Sequence, residues 1–102
     1  MDTIAPAPAQ ADPAPAPDVL RDEIMRQVTE RGADKSICPS EVARAYGDNW
    51  QRLMRPVREA ARGLSRDGLI DILRKGKPID PDTIKGVIRL RLRPESERDA
   101  DS

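Results

Sequence analysis

The apolar residues of this chain change their period once, at Gly68, and that switch sets the fold class. Up to residue 67 they recur at helical spacing; beyond it they alternate. Leu20, Ile24 and Val28 stand at i, i+4 and i+8, with Met25 on the edge of the stripe. Asp18 offers an N-cap and Gly32 a natural stop, so the spacing predicts a first helix over 18–31. Ser36-Ile37-Cys38 reads as a short extended piece, because Pro39 biases the residue before it away from the helical region. Pro39 suits the first helical position and Glu41 the acidic first turn. A second helix over 39–46 follows, turning Val42, Ala43 and Tyr46 inward and ending at Gly47.

A third helix is predicted over 49–67, after the turn Gly47-Asp48-Asn49. Residues are placed at roughly 100° per step, with Arg52 at zero. Trp50, Leu53, Met54, Val57, Ala60, Ala61 and Leu64 then fall within an arc of roughly 80° to 200°. Arg55, Arg58, Arg62 and Arg66 fall at roughly 240° to 320°, with Arg52 and Glu59 beside them. One face is apolar and the opposite face is arginine-rich. Pro56 lacks an amide N–H and should kink this helix or restart it near Arg55. Past Gly68, residues 69–75 read as a strand with Ile70 and Ile72 on one face. Residues 76–86 read as a loop. A second strand over 87–93 sends Ile88, Leu90 and Leu92 one way and Val87, Arg89, Arg91 and Arg93 the other. The expected fold is therefore α+β, a winged helix-turn-helix: three helices, a short strand and a C-terminal β-hairpin wing. The hairpin needs something to pack on, and the apolar arc of the helices is the candidate.

The ends limit how much chain can fold. Residues 1–17 are Ala/Pro-rich, favour polyproline II and read as a tail. Residues 94–102 read as an acidic tail. The folded unit, 18–93, has about 76 residues, too few for a deep enclosed cavity. Its charge is uneven: +1 over residues 18–67 and +4 over 68–93, against −2 and −3 in the two tails, so a neutral total hides a basic module. With no histidine and a single cysteine, Cys/His zinc sites, Cys/His dyads and Ser-His-Asp triads are excluded, as is an internal disulfide. An enzyme is not expected, and neither is a cofactor. No apolar run reaches the ~18 residues a bilayer span needs, and the N-terminus lacks the features of a signal peptide. A cytoplasmic protein is expected.

The run Pro39-Ser40-Glu41-Val42-Ala43-Arg44, then Trp50, Leu53-Met54, Val57-Arg58, Ala61, Leu64 and Gly68, resembles a family of small bacterial winged-helix proteins classed as a domain of unknown function. The resemblance continues through Arg74-Lys75-Gly76-Lys77-Pro78, Asp80-Pro81, Gly86 and Arg89, and covers roughly residues 20–92. It implies the fold and no activity. The chain departs from the pattern at Gln51, where a basic residue often follows the tryptophan.

Two basic features carry the functional expectation. In helix-turn-helix proteins the second helix of the pair enters the major groove, and arginine suits both guanine and phosphate. Arg52, Arg55, Arg58, Arg62 and Arg66 would supply that face to double-stranded DNA. A solvated face with ordinary Arg–Glu59 helix pairs, or a protein-binding face, are the alternatives, and Arg58 at the apolar border also suits an internal structural pair. Lys75, Lys77, Lys85 and Arg89 would supply wing contacts to the phosphate backbone or minor groove; the alternative is edge-strand protection. A protein-interaction adaptor on the same scaffold is the competing function. Trp50 is expected as a core anchor and Cys38 as a buried, inert thiol; Ser40 and Glu41 are expected to start the second helix.

Overall fold

The computed structural model of the chain describes residues 15–94. Most of the expected Ala/Pro-rich tail, and the acidic tail beyond residue 94, lie outside the described residues.

Helix α1 spans Pro17–Arg31 and buries Leu20, Ile24 and Val28, the predicted stripe. Its start differs from expectation. Ala16 is the N-cap and Pro17 takes the first helical position, so Pro17 belongs to the helix rather than the tail, and Asp18 sits in the first turn. Proline there loses nothing, because the first N–H groups of a helix have no internal partner anyway. Helix α2 spans Pro39–Arg44, two residues shorter than expected. Ala45 and Tyr46 close it with tighter bonds, donating to the carbonyls of Val42 and Ala43. At its start the Glu41 carboxylate accepts from the Cys38 N–H at 3.0 Å.

The third helical stretch is divided by Pro56, as its missing N–H requires. A 3-10 turn over Trp50–Leu53 leads into helix α3, Met54–Arg66. The restart comes at Met54, which places Pro56 in the first turn, where no hydrogen bond is lost. The apolar arc packs inward: Leu53, Val57, Ala60, Ala61 and Leu64 are buried. Helix α3 ends with two closing bonds, Leu69 N–H to the Leu64 carbonyl and Gly68 N–H to the Ser65 carbonyl. These turn the chain straight into the sheet.

The sheet has three antiparallel strands in the order β2-β1-β3; β2 falls inside the stretch expected as a loop, and the short strand expected at 36–38 is reduced to a single bridge at Ile37. β1 is Ile70–Arg74, β2 Lys77–Pro78 and β3 Arg89–Leu92. β1 turns into β2 through Lys75 and Gly76, both at positive φ (54° and 81°), the geometry of the tightest hairpins. The chain then travels through a 3-10 turn, Pro81–Thr83, and returns on the other side of β1 as β3. Ile37 exchanges two backbone bonds with Leu90, both 2.8 Å, so the piece before α2 joins the free edge of β3. The arrangement is compatible with a winged helix.

β1 is buried on both faces. Ile70 and Ile72 join Ile88, Leu90 and Leu92 in one core cluster with the helices. The other face carries Asp71, only 6% exposed. Its carboxylate accepts from Arg91 at 2.6 Å and from both Nε and Nη2 of Arg93 at 3.0 and 2.9 Å. Arg91 and Arg93 thus hold the sheet together rather than standing as a free basic face.

Asp71→Ala strips three charge-assisted bonds from a buried site and should lower the unfolding free energy by about 2–3 kcal/mol in urea titrations. Asp67→Ala, which breaks the more exposed Arg21–Asp67 pair, should cost under about 1 kcal/mol. On α1, the hydrogen bond from Arg26 holds the Glu23 carboxyl below its ordinary range; burial opposes this and Gln27 adds to it. A folded pKa below the unfolded one gives stability that is complete above the unfolded value and lost as pH falls through the folded value. Glu23→Gln should therefore flatten the acid limb of a stability–pH curve and leave the neutral region little changed in shape.

Candidate nucleic-acid interface

The outward ridge of α3 follows from the inward one. With Val57, Ala61 and Leu64 buried, Arg55, Glu59 and Arg66 are exposed and Arg58 and Arg62 half-buried at the sides. Arg52 is exposed on the preceding turn. The sequence places these cations on one side of the helix; the fold then gives several of them partners. The Arg62 guanidinium stands 3.5 Å from Glu59, one turn away. Arg66 forms an ion pair with Asp82 of the 3-10 turn between β2 and β3, and that hydrogen bond raises the Arg66 pKa above its ordinary value. Arg58 donates to the Gly86 carbonyl, so its place at the apolar border makes it an internal tie between helix and wing. The C-terminal half of the arginine face is therefore engaged with the protein's own acceptors. Arg55 is in no ion pair among the described residues.

The wing behaves differently. Lys75, Lys77 and Lys85 are exposed and form no ion pair among the described residues. Arg89 is exposed too, but its Nε–H donates to the Ser36 hydroxyl at 2.7 Å and Nη2–H to the Ser36 carbonyl at 3.0 Å. The structure adds Arg74, exposed at the end of β1 and absent from the cations expected to contact DNA. Gly86 has φ +71°, and a Cβ there would sit 3.5 Å from the Arg74 Nε. Arg74 and Arg58 thus approach the same glycine, one from the sheet and one from the helix. The signal for Arg74 was present in the run Arg74-Lys75-Gly76-Lys77, a basic cluster around a turn glycine.

Other expected roles shift in degree. Trp50 is half-buried against the core rather than fully enclosed, and the Arg44 guanidinium lies 4.7 Å from its ring centroid. No periodic signal pairs Arg44 with Trp50, because a turn separates them. Cys38 is partly exposed rather than buried, and its Sγ accepts from the Ser40 hydroxyl at 3.1 Å. Among the described residues no group of three His, Cys, Asp or Glu side chains is placed to hold a metal ion. No helix among them is long and apolar enough to cross a membrane.

The class this geometry defines is a small α+β domain, three helices on an antiparallel sheet, with cations gathered on a wing. The chain belongs to the DUF3253 family, described as proteins of unknown function, whose model matches residues 17–93. No curated protein matches it.

Gly86→Ala forces a side chain into the left-handed region, at a cost of about 1–2 kcal/mol. It should lower the urea midpoint accordingly. The contact with Arg74 would remain within ordinary van der Waals range, so backbone strain rather than a clash should account for the loss.

Proposed function

We propose that this domain is a winged-helix module that binds double-stranded DNA, using the outward ridge of α3 and the wing. The observation that carries this reading is the set of exposed cations at the hairpin turn and the loop after it, Arg74, Lys75, Lys77 and Lys85, which form no ion pair among the described residues. With Asp82 paired to Arg66, these cations outnumber the remaining acid of their loop, Asp80, which raises the local positive potential and favours a polyanion that releases its counterions. Arg52 and Arg55 add guanidinium groups near the start of α3, able to bond phosphate or guanine. Arg62 and Arg66 join only by exchanging Glu59 and Asp82 for phosphates. The lone thiol fits a reducing compartment such as the cytoplasm.

One observation favours the adaptor instead. A depression of about 390 Å³ between the start of α1 and α3 is lined largely by Pro15, Pro17, Leu20, Pro56 and Ala60. An exposed apolar surface of this kind suits a protein partner.

Salt separates the two. In fluorescence anisotropy titrations, duplex DNA should bind at low salt, and log K should fall with log[salt] at about −0.9 per phosphate contacted. No binding to any duplex below ~100 μM refutes the DNA reading, since even non-specific binders reach that level at physiological salt. An adaptor would ignore duplex at every salt concentration.

A further inference from the structure

We propose that the wing, rather than α3, makes the principal contact: one strand of the duplex lies in the depression between the end of β1 and the start of β3. This rests on the duplex-binding reading and goes beyond it by naming which part of the surface bears the backbone. The depression measures about 430 Å³. Leu73, Gly76 and Val87 form its apolar surface, and Arg74, Lys75 and Arg89 its cationic part. That pairing matches a sugar–phosphate chain, whose sugar faces are weakly polar and whose phosphates are anionic.

Three features distinguish this depression from the helix face. The first is Val87, an aliphatic side chain left 82% exposed although it begins the stretch that enters the core at Ile88. A deoxyribose ring would cover it. The second is preorganisation. Arg89 is fixed by its two bonds to Ser36, so less of its side-chain freedom remains to be lost on binding, and the tight hairpin turn fixes the backbone that carries Lys75. The third is the position of the acids. Asp82 pairs with Arg66 on α3, and Asp80 stands two residues before it, accepting from the Asp82 N–H. Helix-first docking along the whole of α3 would break that pair and bring carboxylates toward phosphates. No carboxylate lines the wing depression. Contacts of this kind hold the backbone and carry no base information, so the domain should bind unrelated duplexes nearly equally.

The test is anisotropy with the full chain and two labelled duplexes of unrelated sequence. Three variants are compared with the parent: Arg74→Ala/Lys75→Asn, Arg52→Ala/Arg55→Ala and Val87→Asp. Asparagine tolerates the positive φ of position 75, and Trp50 fluorescence during urea titration confirms that each variant folds. The wing pair should weaken both duplexes about tenfold or more and flatten the salt slope by about two contacts. The helix pair should cost less than about threefold, and Val87→Asp should weaken binding through like-charge repulsion. A larger loss from the helix pair than from the wing pair overturns the wing proposal while leaving DNA binding intact. A parent chain that binds neither duplex overturns the DNA reading itself, and the wing proposal with it.

Discussion

An aliphatic seam between α3 and the sheet orients everything else in this domain. Val57, Ala61 and Leu64 on the helix, Ile70 and Ile72 on β1, and Leu90 on β3 belong to one cluster, each no more than 2% exposed. Ile24 from α1 and Ile37 and Val42 from around α2 close it at 0% exposure. Each such valine, leucine or isoleucine contributes about 1.5–3 kcal/mol when fully buried. A unit this small buries a modest fraction of its surface, so it cannot spare many of them. Once the seam is set, α3 has only one orientation, and its cations face away from the sheet or toward its edge.

Electrostatics then divides those cations into two populations. One is structural: Arg91 and Arg93 neutralise the buried Asp71, Arg58 ties α3 to the wing at Gly86, and Arg66 holds the turn at Asp82. The other is gathered around the hairpin turn and the loop after it, at Arg74, Lys75, Lys77 and Lys85, which form no ion pair among the described residues. The division matters for function because an arginine already bonded to a carboxylate must give up that partner before it can bond a phosphate. A basic residue count along the sequence treats both populations alike.

Much of the fold was legible because amphipathic periodicity is a local property. Leu20, Ile24 and Val28 announced α1, and Ile88, Leu90 and Leu92 the buried face of the last strand, since each set meets its surroundings at the repeat of its own element. Pro56 announced the restart of the third helix, since its missing N–H is tolerated only in a first turn. The short strand Lys77–Pro78 was not legible. Two residues show no alternation, and Lys75-Gly76 is not among the common hairpin dipeptides even though both residues take positive φ. Burial of Asp71 was equally hidden: an acid within an apolar strand reads as solvent-facing until Arg91 on β3 and Arg93 just past its end are brought opposite it.

The sequence by itself determined which residues could lie inside and which faces would be basic, because side-chain spacing within a helix or strand dictates both. Only the tertiary structure decided which cations are spent on the protein's own carboxylates and carbonyls. Arg58 meets Gly86 28 positions away, Arg66 meets Asp82 16 away, and Arg89 meets Ser36 53 away. Such pairings obey no repeat. They arise when packing of the apolar seam brings distant segments within hydrogen-bonding distance.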